Sequence, residues 1–143
     1  MELEIGQVLW LKIKYQANII SNVPHPMLIE SIVCNIDENI IEVIAIDKDR
    51  DRAYQLLSQN NKFVSCNSPL ETVISENSYV QLNNKFTIEY FKGLENYRRT
   101  KDKLSNRKLN EILKAYRDFH KNNIIKEERI VHMTKKDILD MND

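Results

Sequence analysis

A histidine held between two prolines is the first feature of the sequence that suits chemistry. Pro24-His25-Pro26 follows a polar segment and precedes an apolar run. The prolines restrict the backbone on both sides of His25, and an imidazole exchanges protons near neutral pH. A stiff loop that presents an imidazole suits general acid–base catalysis. The same residues also suit a strand entrance at which two prolines prevent edge pairing.

Six charges of alternating sign, Asp-Lys-Asp-Arg-Asp-Arg, occupy positions 47–52. On a loop that follows a strand, Lys48, Arg50 and Arg52 could contact the phosphates of a nucleic acid. Alternatively, these cations pair with the neighbouring aspartates on an exposed loop, where ion pairs contribute little to stability. The sequence leaves both interpretations open.

A denser basic group lies at positions 98–103, just after three aromatic residues. The cations are Arg98, Arg99, Lys101 and Lys103, and the aromatic residues are Tyr90, Phe91 and Tyr97. Aromatic rings beside cations can stack on the bases of single-stranded nucleic acid. A sheet-to-helix connection that contributes its rings to the core has the same pattern.

The charge of the chain is divided unevenly along its length. Lys plus Arg and Asp plus Glu are 21 each over the 143 residues. Residues 1–48 nevertheless carry 3 basic and 7 acidic side chains, whereas residues 98–136 carry 13 basic and 5 acidic ones. The second segment therefore has a net charge of +8, which suits contact with nucleic acid or with an acidic partner. It equally suits the solvated face of a helix.

Several classes of site are excluded by the residues that are missing. Gly6 and Gly93 are the only glycines, so a phosphate-binding loop of the Walker or Rossmann type cannot be built. The spacing of Cys34 and Cys66 matches no zinc motif, and the histidines are scattered. We therefore expect no metal and no cofactor. Cys34 ends an apolar run and is predicted to be a buried thiol.

Length and hydropathy indicate one ordinary globular domain. Domains typically hold roughly 100–150 residues, so residues 1–143 are expected to form a single unit. The N-terminal Met-Glu-Leu-Glu-Ile lacks a signal-peptide pattern. No apolar stretch approaches the roughly 18 residues that span a membrane, so we expect no membrane contact and a cytoplasmic location.

The first two-thirds of the chain is predicted to be rich in strands. Strands are expected at 7–14, 27–34 and 40–46, with a turn at 35–39 that makes the last two a hairpin. Short strands are expected at 63–66 and 71–74, and a longer β segment at 78–91 bends at Asn83-Asn84. Residues 52–59 fit a short helix or an irregular arm. Short strands of this kind predict a small antiparallel barrel at about 5–91.

The last third, about 98–143, is predicted to be a helical extension with one strand. An apolar stripe of helical spacing runs from Leu109 to Phe119, Ser105 is placed to cap its start, and Leu104 with Leu109 forms a hydrophobic staple. Asn122-Asn123 ends the helix. A strand at 129–133 follows, and Thr134 is expected to cap a short last helix. The fold class is therefore mainly β, in the α+β sense.

The order of these elements resembles that of the MazF/PemK-like toxin family. Ile5-Gly6-Gln7-Val8-Leu9-Trp10-Leu11 resembles the opening strand of that family, and His25-Pro26-Met27-Leu28-Ile29 its second strand after a polar loop. Ser78-Tyr79-Val80-Gln81-Leu82 is similar to a late family strand, and the helix that follows Lys103-Leu104-Ser105 also matches. The likeness covers roughly residues 5–120, and it is carried by the order of motifs that are individually weak.

The resemblance implies an SH3-like barrel that forms a homodimer and a metal-independent endoribonuclease of single-stranded RNA, neutralised by a cognate antitoxin. In the reaction, a ribose 2′-hydroxyl attacks its own phosphate, which needs a base, an acid and positive charge at the phosphate. By this analogy, His25 and Lys48 are candidate catalytic residues. The candidate RNA-binding residues are Arg50, Arg52, Arg98, Arg99 and Lys101.

The sequence departs from the family at the positions that matter most for catalysis. The family usually places an Arg before the proline that opens strand two, where this chain has His25 and where residues 1–49 contain no Arg. It usually places a Thr or Ser after strand three, where this chain has Asp47-Lys48. His25 could take over proton transfer while Lys48 or Arg50 holds the phosphate. The alternative is an inactive, toxin-like module of a mobile element that binds nucleic acid or protein, with residues after 121 serving a partner.

Overall fold

The computed structural model describes residues 2–16, 19–48, 61–64, 73–74 and 78–142. The described strands, in chain order, are β1 (Val8–Leu11), β2 (Lys14–Gln16), β3 (Ile19–Ile20), β4 (His25–Cys34), β5 (Asn39–Lys48), β6 (Asn61–Val64), β7 (Ser78–Gln81), β8 (Lys85–Glu89) and β9 (Ile130–Met133). The helices are α1 (Asn106–Asn122) and α2 (Lys135–Asn142), and short 3-10 helices occupy Leu94–Tyr97 and Glu127–Arg129.

Strand β5 is the centre of a seven-stranded sheet. On one side it pairs with β4, which pairs with β1. On its other side, residues 40–43 pair with β8 and residues 46–48 pair with β7, and β6 and β9 lie beyond those two strands. Because one edge of β5 serves two strands, the sheet divides there into two branches. The predicted hairpin of β4 and β5 is confirmed, as is the bend between β7 and β8.

The mixed α+β class is confirmed, whereas a closed barrel is not formed by the strand pairs of the described residues. Strand β9, which belongs to the predicted extension and not to the predicted barrel, pairs with β8 in parallel. Two adjacent parallel strands need a long connection between them, and the connection from β8 to β9 contains α1. The SH3-like barrel therefore stays a prediction.

The two faces of the sheet bury separate apolar clusters, because successive side chains of a strand point to opposite faces. The first core contains Leu9, Leu11, Met27, Ile29, Ile41, Val43, Ala45, Phe86 and Ile88, and it is covered by Leu94 and by Ile138 of α2. The second core contains Val8, Leu28, Ile44, Ile46 and Val80, and it is covered by α1 through Leu109, Ile112, Leu113 and Tyr116.

Both predicted helix starts are confirmed. The hydroxyl of Ser105 accepts a hydrogen bond from the backbone N–H of Lys108 at 3.3 Å, which satisfies a free donor of the first turn of α1. At α2, the Thr134 hydroxyl accepts from the Asp137 N–H at 3.2 Å, and the Asp137 carboxylate accepts from the Thr134 N–H at 2.9 Å. The hydrogen bond from the Thr134 backbone N–H lowers the pKa of Asp137, and the nearby Lys14 lowers it further. The two caps set where each helix begins.

Four smaller expectations have different outcomes. Cys34 is exposed, so the prediction of a buried thiol is wrong: the residue ends β4 next to the hairpin turn, outside both cores. The strand expected at 63–66 lies at Asn61–Val64. Of the strand expected at 71–74, Val73 and Ile74 are described, and both are buried in the second core without forming a strand. The predicted arm at 52–59 lies outside the described residues.

The described helices include none that is both long enough and apolar enough to cross a membrane.

Gly6 is required by its backbone angle and by its contact with α1. Its φ is +98°, and a Cβ built on it would lie 2.9 Å from Cδ2 of Leu109. Gly93 has a similar φ of +109°, but a Cβ there would meet its nearest neighbour, Nδ2 of Asn96, at 3.8 Å. A left-handed backbone costs a non-glycine residue about 1–2 kcal/mol. Only Gly6 adds a clash with the second core to that cost.

We therefore expect Gly6→Ala to lower the free energy of unfolding by more than Gly93→Ala does. Gly93→Ala should cost about 1–2 kcal/mol from backbone strain alone, and Gly6→Ala should exceed this because Leu109 must shift. Urea unfolding of both variants measures the difference. Equal losses would show that α1 accommodates the added methyl group without cost.

Candidate functional site

His25 and Asp47 lie side by side at one end of the sheet. His25 begins β4, and the antiparallel register that pairs Met27 with Ala45 sets Asp47 of β5 against it. The Nδ1 atom of His25 is 3.4 Å from Oδ1 of Asp47, and the two side chains are 25% and 18% exposed. Both residues continue the alternation of the first core, so the pair lies on that face, at the margin where the core meets solvent.

The other oxygen of Asp47 is held by a chain of polar side chains. Nε2 of Gln81 donates to Oδ2 of Asp47, and Nδ2 of Asn84 donates to Oε1 of Gln81. Arg129 completes the chain by donating from Nη1 to Oδ1 of Asn84 at 3.1 Å. The Asp47 carboxylate therefore faces a ring nitrogen on one side and an amide donor on the other.

This arrangement suits proton transfer by His25. With the Nδ1 proton directed at Asp47, Nε2 of the neutral ring is the acceptor nitrogen. The carboxylate would also stabilise the imidazolium formed when Nε2 takes a proton, as a buried carboxylate does in catalytic triads. A spacing of 3.4 Å is loose for a hydrogen bond, and such contacts often tighten when substrate binds. Among the described residues, no cluster of His, Cys, Asp and Glu could hold a metal ion.

The structure shows only part of the predicted cationic loop. Lys48 is the last residue of β5 and therefore follows Asp47 directly, although its side chain lies outside what is described. Arg50 and Arg52 also lie outside the described residues. Among the described residues, the two segments that the resemblance assigns to catalysis meet at His25 and Asp47.

Arg98 is engaged within the protein. Its Nε donates to the carbonyl of Glu95 at 3.1 Å, and its Nη1 donates to the carbonyl of Glu2 at 3.0 Å and to Oε1 of Gln7 at 3.1 Å. The carbonyl of Lys101 accepts from Nε2 of Gln7 at 2.9 Å. These bonds fasten the basic segment along the edge of β1. RNA contact by Arg98 and Lys101 stays a prediction, and for Arg98 it would compete with three bonds.

Arg99 stacks on an aromatic ring that the sequence did not associate with it. Its guanidinium carbon lies 3.6 Å from the ring centroid of Trp10. Trp10 packs against the second core, so this stack lies on the opposite face of the sheet from His25. Arg99 is exposed, and a cation over an indole face is a favourable pair. The two halves of the predicted site are therefore on different faces.

The aromatic residues that precede the basic group belong to the core. Phe91 is buried in the first core, and Tyr90 and Tyr97 pack against it half-buried. This outcome confirms the interpretation in which the connection between sheet and helix contributes its rings to packing.

A second polar cluster, between α1 and the sheet, was missed by the sequence reasoning. The hydroxyl of Tyr116 donates to Oε2 of Glu42 at 2.6 Å, and Nε of Arg117 donates to Oε1 of Glu30 at 2.8 Å. Glu30 is the extra residue at the irregularity between Ile29 and Ser31, and it is 6% exposed. Burial and then the Glu42 contact raise the pKa of Tyr116. Tyr116 belongs to the apolar stripe of α1, which predicted that its ring packs in the core but gave no sign that its hydroxyl has a partner.

His120 is a third member of this cluster. Its ring lies 4.0 Å from that of Tyr116, and its Nε2 donates to the carbonyl of Leu82 at 2.9 Å. Burial lowers the pKa of His120, with a smaller opposing effect from the Leu82 carbonyl. Glu42 and Glu30 also oppose the shift, whereas Lys85 adds to it. The neutral form of the His120 ring is therefore favoured where it joins α1 to the sheet. These surroundings suit helix docking better than catalysis.

Comparisons with protein families, with curated proteins and with solved structures find no match to this chain.

The His120 site predicts a loss of stability on acidification. Its folded-state pKa lies below the ordinary value of 6.5, so the unfolded chain binds a proton first and unfolding becomes more favourable as the pH falls. The stabilisation is complete above about pH 6.5 and declines as the pH drops toward the folded-state pKa. His120→Gln should flatten this part of a plot of unfolding free energy against pH. His132→Gln, which removes an exposed imidazole, is the control; an equal effect of both changes would contradict the assignment.

Proposed function

We propose that the protein is a metal-independent endoribonuclease that cleaves single-stranded RNA, with His25 as its proton-transfer residue. The observation that carries the proposal is the 3.4 Å approach of His25 Nδ1 to Asp47 Oδ1. The resemblance to MazF/PemK-like toxins supports it through the order of elements, although both residues differ from the family pattern.

The chemistry follows from the position of the two groups. Nε2 of His25 takes the proton of a ribose 2′-hydroxyl, whose oxygen attacks the adjacent phosphorus while the bond from phosphorus to the 5′-oxygen breaks. The products are a 2′,3′-cyclic phosphate and a 5′-hydroxyl. The leaving oxygen takes a proton from water, and the hydroxide left behind takes the proton held by His25, which restores the neutral ring. Asp47 balances the charge of the imidazolium, and Lys48 stays the candidate that the sequence gives for the phosphate oxygens.

Cleavage of an unstructured RNA in the presence of EDTA tests this function directly. The wild-type chain should yield 2′,3′-cyclic phosphate ends, and it should leave a DNA strand of the same sequence intact because DNA lacks the nucleophile. His25→Ala should reduce the rate by at least about a hundredfold, the usual contribution of a positioned acid–base group. His132→Ala is the matched control. Intact RNA at high protein excess, or full activity of His25→Ala, would exclude this mechanism.

A second candidate function is single-strand RNA binding without turnover. It is favoured by the stack of Arg99 on Trp10 at 3.6 Å, which exposes a planar cation next to the basic segment. A base could continue such a stack, and base–aromatic contacts are worth about 1–3 kcal/mol each. The internal contacts of Arg98 and the loose spacing of His25 and Asp47 are compatible with this function.

A comparison of substitutions at Arg99 and at Lys136 tests whether RNA binds at this surface. Each phosphate contact contributes about 0.7 to the slope of log affinity against log salt for single strands. We expect Arg99→Ala to weaken binding and to reduce that slope by about 0.7, whereas Lys136→Ala on α2 removes the same charge and should change neither. Fluorescence anisotropy with a labelled oligonucleotide measures both quantities. Equal effects of the two substitutions would remove Arg99 from the binding surface.

A further inference from the structure

We propose that Gln81, Asn84 and Arg129 form a relay that positions Asp47, and through it His25, so that the C-terminal segment completes the active site. The inference rests on the proposed ribonuclease function of His25. It assigns a role to residues beyond position 121, which lie outside the part of the chain that resembles the toxin family.

Two buried amides are the first observation behind this inference. Gln81 is 7% exposed and Asn84 is 4% exposed. A polar group that is buried without a hydrogen-bond partner destabilises the folded protein, so both side chains need partners inside the protein. The partners they have are each other, Asp47 and Arg129. An apolar residue at either position would meet the same packing need, which points to a role for the amides beyond filling space.

The relay has a fixed direction because Arg129 stands at its end. A guanidinium can only donate hydrogen bonds, so the oxygen of the Asn84 amide must face it and the amide nitrogen must face away. That nitrogen then meets the oxygen of Gln81, whose own nitrogen is directed at Asp47. Each amide orientation thus follows from the one before it, starting from a permanent cation. A rotated amide would bring two donors or two acceptors together.

The consequence for Asp47 is that its carboxylate has one orientation. Oδ2 accepts from Gln81, and this contact directs Oδ1 to Nδ1 of His25. A carboxylate that bonds Nδ1–H selects the ring tautomer with Nε2 as acceptor, which the proposed proton transfer requires. Residues behind a functional group commonly change activity by roughly 10–100-fold when they are removed.

The fold brings Arg129 to this position through the crossover. Strand β9 pairs with β8 in parallel, and Lys85 is opposite Ile130 in the register. Asn84 directly precedes β8 and Arg129 directly precedes β9, so the two residues lie next to each other. The helix α1 occupies the connection that makes this parallel pairing possible, so one segment both covers the second core and delivers Arg129.

The relay is tested with Gln81→Met and Arg129→Met, which remove hydrogen bonds while keeping much of the side-chain length. Lys126→Met, an exposed change in the same segment with the same loss of charge, is the control. We expect each relay variant to lower kcat by roughly tenfold or more with little change in KM, because the relay orients His25 and does not contact RNA. Arg129→Lys, which keeps a donor, should restore part of the loss.

Nitrogen NMR of the His25 imidazole provides a readout that does not depend on activity. The relay variants should shift the Nδ1 and Nε2 signals toward a mixture of tautomers at a fixed pH, and Lys126→Met should leave them in place. Melting temperatures show whether each variant is folded, and shifts are compared only between folded chains. If neither substitution folds, Asn84→Ser supplies the same break in the relay.

The two proposals fail in different ways. Unchanged His25 signals together with unchanged cleavage in the relay variants would overturn the relay, even if His25→Ala abolishes cleavage. If the wild-type chain cleaves no RNA, the ribonuclease function falls, and the NMR shifts alone decide whether Arg129 controls the His25 ring. Shifts as large in Lys126→Met as in the relay variants would also overturn the relay, because they would reflect charge alone.

Discussion

The pairing of β5 is the constraint on which the rest of the structure depends. Its side chains alternate between the two cores, with Val43 and Ala45 on one face and Ile44 and Ile46 on the other. One edge is shared by β8 and β7, so the sheet must divide near the middle of this strand. Asp47 lies just past the last core residue of β5. The strand therefore supplies packing for both faces and carries the carboxylate of the candidate site near its end.

Similar chemical groups have different roles in this protein because their neighbours differ. Glu42 and Asp47 belong to the same strand, yet Glu42 bonds the buried hydroxyl of Tyr116 and helps to dock α1. Asp47 is directed at His25, at the margin of the first core. In the same way, His120 is held between a ring and a carbonyl, whereas His25 keeps a quarter of its side chain exposed. Contacts with a helix favour docking, whereas the position of His25 at a strand end leaves part of its ring in solvent.

The segment after position 98 serves the fold in three places. Its basic start is bound along the edge of β1 through Arg98 and the carbonyl of Lys101. The helix α1 covers the second core, and β9 with α2 extends the sheet and closes the first core. The net charge of +8 over residues 98–136 is thus distributed over several elements. Arg99 remains the exposed cation whose stack on Trp10 best fits a nucleic-acid contact.

Local patterns in the sequence determined the elements of this protein. The helical stripe from Leu109 and the cap at Ser105 located α1, and Thr134 with Asp137 located α2, because capping involves neighbours only a few residues apart. The turn after Cys34 predicted the hairpin for the same reason. The resemblance to the MazF/PemK-like family drew attention to the segments that contain His25 and Asp47, but the contact between these two side chains was given only by the structure. The buried relay from Arg129 and the stack of Arg99 on Trp10 were decided by tertiary structure. Their long-range contacts, Asp47 with Gln81, Asn84 with Arg129 and Trp10 with Arg99, join residues 34 or more positions apart. No local periodicity in the sequence records which strands become neighbours.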